Sequence, residues 1–123
     1  MIKRFLLCLL LIGSAHAEPF EGWTDEEKTW FAASEITQVI DYQTTRNMLY
    51  QQARKGFYES NPLLGRHPSK DKMNLAEVAT LVGNYYLSDY LSHDNRLLWL
   101  KVHTSLELLV IGHNLSIGAE LKF

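Results

Sequence analysis

An all-α fold, a small bundle of three main helices, is what this 123-residue sequence predicts. Three observations carry that expectation. Residues 24–55 contain neither proline nor glycine, so nothing there removes a helical hydrogen bond. Capping residues stand ahead of each segment: Thr24 with Glu27, Asn74 with Glu77, and Asp94. Gly56 and Gly118 follow the first and third segments, where a left-handed residue closes a helix.

The chain opens with a secretory signal pattern: Lys3 and Arg4, an apolar run from Phe5 to Ile12, and small residues at Ala15 and Ala17. The run is short against the roughly 30 Å of hydrocarbon that a membrane anchor crosses. Cleavage after Ala17 is the expectation, leaving one domain from Glu18 to Phe123. Cys8, the one cysteine, would leave with the signal. Leu7 before it is not the small residue that a lipoprotein signal needs. The remaining domain would have no disulfide and no thiolate chemistry, so packed helices, a partner, a metal or a bilayer must hold it.

After a short lead over 18–23, the Thr24–Glu27 box starts helix one, with Asp25 and Glu26 at its positive end. Phe31, Ile36, Val39, Ile40, Leu49 and Tyr50 make a partial apolar stripe. The polar run over 41–48 predicts that this helix bends or splits there. Residues 57–73 read as an ordered loop, because Pro62, Gly65 and Pro68 break helical geometry while Phe57, Tyr58, Leu63 and Leu64 give it apolar surface to bury. Helix two is expected from Asn74 to about Leu91, and helix three from about Asn95 to Leu115. The short Ser92-His93 joint makes them antiparallel neighbours. Residues 117–123 could extend as a lone strand.

Charge excludes one function class. The chain carries 12 basic and 14 acidic residues, and loss of Lys3 and Arg4 would move its net charge from −2 to −4. No basic stripe for nucleic acid is present. The second and third helices are apolar over more surface than one side of a soluble bundle needs, which leaves a soluble bundle and a bilayer setting both open.

Polar side chains on these helices form rows. Gln38, Asp41 and Thr45 share one face by their spacings, Glu77, Asn84 and Ser88 a second, and His103, Glu107 and Asn114 a third. If the rows converge, the bundle has a hydrophilic interior in which buried carboxylates need donors. Each row also has a plain structural explanation as a solvated face or a core pair. His103 and Glu107 could serve a metal together with Asp41 or Glu59, but no clear third ligand follows, and neither metal nor cofactor is expected. Nucleophile-elbow, Walker and His-Glu-x-x-His motifs are missing from the sequence.

The stretch Asp41-Tyr42-Gln43-Thr44-Thr45, followed by Glu59-Ser60-Asn61-Pro62-Leu63-Leu64-Gly65, resembles a pattern in small bacterial and phage helical proteins. Gly112 to Gly118 is similar as well. Those proteins are mostly taken to be membrane proteins. The resemblance implies that Asp41, Thr45, Glu59, Asn61 and Pro62 belong to one shared site or joint.

The functional expectation is a non-enzymatic, exported cell-envelope protein. It would sit in the periplasm and dock on a membrane, an envelope protein or a second copy through apolar helix faces. The alternative is a small enzyme or ligand-binding protein with a buried site drawn from Asp41, Thr45, Glu59, Asn61, His103, Glu107 and Asn114.

Overall fold

The computed structural model describes residues 18–51 and 68–121. The expected signal segment, and most of the expected Pro/Gly loop with Glu59 and Asn61, lie outside the described residues. Among those described the fold is all-α: α1 (Asp25–Arg46) running into a π-helical turn (Asn47–Gln51), α2 (Lys70–Tyr90) and α3 (His93–Ser116).

The start of α1 follows the expected box. The Glu27 amide donates to Thr24 Oγ1 at 3.1 Å, and the Thr24 amide donates to Glu27 Oε2 at 2.7 Å. The anticipated bend or split over 41–48 is present as a division of the first helix into an α part and a π part. Helical geometry continues through Arg46 and loosens into the π turn, a form that often marks functional sites. The Asn47 amide group anchors that turn, donating 2.8 Å to the Glu120 carbonyl beyond α3.

Two helix starts differ from expectation. α2 begins at Lys70, capped by Ser69 through the Lys72 amide at 3.2 Å. Asn74 lies inside the helix, and its side-chain oxygen accepts from the Tyr42 hydroxyl of α1. The local capping pattern at 74–77 lost to a serine one turn earlier, and Asn74 gained a tertiary partner instead. α3 starts after Ser92 rather than Asp94, leaving Asp94 in its first turn. Residues 117–121, the described part of the tail, are not a strand. Gly118, at φ +102°, reverses the chain so that its amide reaches the Leu115 carbonyl and the Ala119 amide reaches that of Asn114, a Schellman closure.

Successive helices run antiparallel, so α1 and α3 are parallel to each other. Contacts in register along the pair show this: Glu27 meets Arg96, Thr44 meets Asn114, and Asn47 meets Glu120. α1 packs chiefly on α3, while α2 touches both more lightly.

The inward face of α1 is not its apolar stripe. Ser34, Thr37 and Thr44 are buried, whereas Ile36 is 59 % exposed and Val39 38 %. Ser34, Thr37 and Thr44 return their hydroxyls to carbonyls three or four residues back, so each can be buried without an orphaned donor. These small side chains sit where helices meet: Ser34 accepts from Asn84 of α2 and Thr44 from Asn114 of α3. Hydropathy alone points the other way, because it scores these residues as solvent-loving.

The expected lead, residues 18–23, is a folded aromatic corner. Phe20 meets Trp23, Phe31 and Tyr85 edge-on at 5.0 to 5.3 Å, and Trp23 stacks on Tyr85 at 5.8 Å. Phe20 holds a left-handed φ of +63°. That conformation costs about 1–2 kcal/mol, and aromatic pairs of this geometry offset it.

Candidate functional site

Two polar clusters sit inside this frame. One ties the helices at their shared corner. Glu27, 2 % exposed, accepts from Arg96 Nη1 at 3.2 Å and lies 2.7 Å from His93 Nδ1. The rest of the Arg96 guanidinium donates to the carbonyls of Ser88 (2.6 Å), Asp89 (3.2 Å) and Leu91 (2.8 Å). It thereby caps the end of α2 and lies 4.5 Å from the centre of the Trp23 ring. Burial opposes ionisation of Glu27. The Thr24 amide, His93 and Arg96 outweigh it, so the carboxyl titrates below its usual range. Glu27 holds the Thr24 amide and Arg96 holds the carbonyls of Ser88, Asp89 and Leu91, so this corner acts as a latch between the helix ends.

The second cluster fills the middle of the bundle and is differently built. Its upper end is Asn84 of α2, which donates to Glu35 Oε1 (2.7 Å) and Ser34 Oγ (3.0 Å) and accepts from Trp99 Nε1 (2.8 Å). One turn along, Gln38 donates 3.0 Å to Glu77 Oε2. At the lower end the Asp41 carboxylate accepts from Thr45 and from Asn114, each at 3.3 Å. Asn114 also donates to Thr44 and Thr45 at 3.1 and 3.3 Å. Glu107 hydrogen-bonds to Asp41, and His103 Nε2 lies 3.6 Å from the other side of Glu107. The ring of Trp99 stacks on His103 at 5.3 Å.

Asp41, Thr45, His103, Glu107 and Asn114 therefore meet in one place. Three rows on three helices converge because α1 and α3 run parallel and in register. Sequence reading missed Glu35, although it stands three residues before Gln38 on the same row. Glu77 and Asn84 form a visible row, yet only the packing of α2 brings them against Asp41 and Glu35. Arg96 gives no sequence signal at all, since a single arginine in a helix is usually solvated.

The electrostatics of this seam are those of too much negative charge and too little water. Burial raises Glu35 to about 7, with the Asn84 bond working against it. Glu77 rises to about 7, chiefly by burial, with Gln38 opposing and the charges of Asp41 and Glu35 adding. Glu107 is held well above the carboxylate range by burial, then by its hydrogen bond to Asp41 and by the charges of Asp41 and Glu77. His103 is pushed down by burial, more than the Asp41 charge restores it. The imidazole is thus neutral at pH 7, and its 3.6 Å contact with Glu107 is neither a salt bridge nor a hydrogen bond.

Burial and the adjoining Asp41 carboxylate therefore keep Glu107 protonated at neutral pH. Among the described residues, Glu77 Oε1, His103 Nδ1 and Thr104 Oγ1 are buried with no hydrogen-bond partner. Leaving such atoms unmatched costs about 1–3 kcal/mol each. A donor that reached them would recover that energy. Among the described residues no group of three or more His, Cys, Asp and Glu side chains is arranged to hold a metal ion, and no helix is long and apolar enough to cross a membrane. No protein-family model, curated protein or solved structure matches this chain.

Proposed function

We propose that the chain is a small ligand-binding protein whose site is the seam around Asp41, Glu77, His103 and Glu107, with the capacity for acid–base chemistry. The observation that carries this reading is the pair of buried, unmatched polar atoms in that seam, Glu77 Oε1 and His103 Nδ1. A packed scaffold gains nothing from such atoms. A site for a small N–H donor uses them. The proton held on Glu107 beside Asp41 gives the site a donor and an acceptor side by side, the arrangement from which general acid and base roles arise. Asn114 and Thr45 orient Asp41, and Gln38 orients Glu77.

Methylammonium and acetamide are suitable probes, being the smallest charged and neutral N–H donors. Carboxyl carbon NMR signals of Glu77 and Glu107 should shift saturably with either probe. The Glu107→Gln variant should bind about tenfold more weakly, the equivalent of one hydrogen bond. Signals that stay fixed, or drift without saturating, would refute a ligand site.

A second reading rests on the exposed apolar residues, Tyr90, Leu75 and Leu109 foremost, at 87 %, 71 % and 70 % exposure. In it the protein is an exported envelope component, and those faces dock on a membrane surface or a protein. Fractionation of the processed chain from the cell envelope, with a carbonate wash, tests this. Full recovery in the soluble fraction as a monomer would remove it.

A further inference from the structure

Carboxyl groups reach the seam from every helix: Glu35 and Asp41 from α1, Glu77 from α2 and Glu107 from α3, with the His103 imidazole beside them. The donors that meet Glu35, Asp41 and Glu77 from outside this group are neutral, being the side chains of Asn84, Asn114, Thr45 and Gln38. Among the described residues no arginine or lysine forms a salt bridge with any of them. Arg96 is held at the helix corner by Glu27, Lys101 pairs with Glu26 at 3.6 Å on the surface, and Arg46 bears on the Tyr42 hydroxyl. Buried carboxyls that lack a cation either keep protons or take up a cation from outside. In the empty seam they keep protons, with burial lifting both Glu35 and Glu77 to about 7.

A second observation is independent of the carboxyls. Thr104, 4 % exposed, lies one turn before Glu107 on the buried face of α3, and its hydroxyl has no hydrogen-bond partner. Ser34, Thr37 and Thr44 are buried too, but each returns its hydroxyl to a carbonyl three or four residues back. The Leu100 carbonyl stands in that position for Thr104, and the bond is not made. Thr104 Oγ1 is therefore left to accept from a ligand, as is Glu77 Oε1. With the ring proton on Nε2, which faces Glu107, His103 Nδ1 accepts as well. A neutral amide answers these acceptors and leaves the charge as it was. An ammonium group brings three donors and the missing positive charge together. His103 and Glu107 keep 12 % and 15 % side-chain exposure, so a small ligand has an entry at this end.

We infer, building on the ligand site proposed above, that the seam takes a small primary alkylammonium cation and releases one proton from Glu77 for each cation bound. The exchange balances. The ammonium enters with its three protons, the Glu77 carboxyl gives one proton to solvent, and the net charge of the seam is unchanged. The full chain is titrated with methylammonium chloride and separately with acetamide, by calorimetry at pH 5, 6, 7 and 8, in paired buffers of different protonation enthalpy. Methylammonium stays charged over this range, as a lysine does. Its affinity should rise about tenfold from pH 5 to 6 and level off above about 7, where Glu77 ionises unaided. The buffer pair at pH 6 should report close to one proton released. Acetamide should bind about tenfold more weakly at pH 7 and equally at every pH. Glu77→Gln should lose both the pH dependence and the proton release, while Glu107→Gln, which retains Glu77, should keep them. Circular dichroism checks that each variant is folded. Acetamide binding as tightly as methylammonium, with no proton released, overturns the inference and leaves the ligand site standing. Proton release that persists in Glu77→Gln, or vanishes in Glu107→Gln, overturns it as well. If neither probe saturates, the ligand site itself fails and the exchange with it.

Discussion

Glu77→Gln should stabilise this protein at pH 8 and leave it nearly unchanged at pH 4.5. The carboxyl of Glu77 rises from 4.5 to about 7 on folding, mainly because burial disfavours its charge. The folded chain therefore holds a proton that the unfolded chain releases once the pH passes about 4.5. Stability contributed by that proton is complete below the unfolded value, falls as pH rises toward 7, and is lost above it. A rise of that size corresponds to about 3 kcal/mol, an upper figure because some water reaches the seam. Glutamine keeps the shape and still accepts from Gln38, whose amide lies 3.0 Å from Glu77 Oε2. It cannot ionise, so the penalty at high pH disappears. Urea unfolding of wild type and variant at pH 4.5, 6 and 8 measures the difference, and subtraction cancels the titrating groups outside the seam that Glu77 shares with Glu35, Asp41 and Glu107. The expected gain is near zero at pH 4.5 and about 2–3 kcal/mol at pH 8. A difference that does not change with pH would refute the claim that Glu77 is desolvated in the bundle.

Two further outcomes follow from the hydrogen bonds. Arg96→Lys removes the fork that holds the carbonyls of Ser88, Asp89 and Leu91 together with Glu27, and should cost about 3–5 kcal/mol in chemical denaturation. Asn114→Ala strips one donor group from Asp41, Thr44 and Thr45. It should cost about 1–3 kcal/mol and perturb the carboxyl NMR titration of Glu107 through Asp41, a response absent if Asn114 serves packing alone.

Helix count, the Thr24–Glu27 box and the glycine closure at 118 were all legible because each rests on interactions within five residues of chain. Rows such as 38–41–45 and 103–107–114 were legible too, since helical spacing alone puts them on one face. What sequence could not supply was which face turns inward. In α1 the hydropathic stripe of Ile36 and Val39 faces out, and Ser34, Thr37 and Thr44 face in, with internally satisfied hydroxyls, Ser34 accepting from Asn84 and Thr44 from Asn114. Spacing says nothing of those partners on other helices.

The sequence by itself determined three helices and the polar residue types along them. Only the tertiary structure decided that α1 and α3 run parallel in register, so that Asp41 meets Glu107 and a lone Arg96 reaches Glu27. The physical reason is range. Caps and rows depend on neighbours along one helix, whereas the proton held on Glu107 depends on Asp41 being brought against it from a position 66 residues away, which only packing between helices can do.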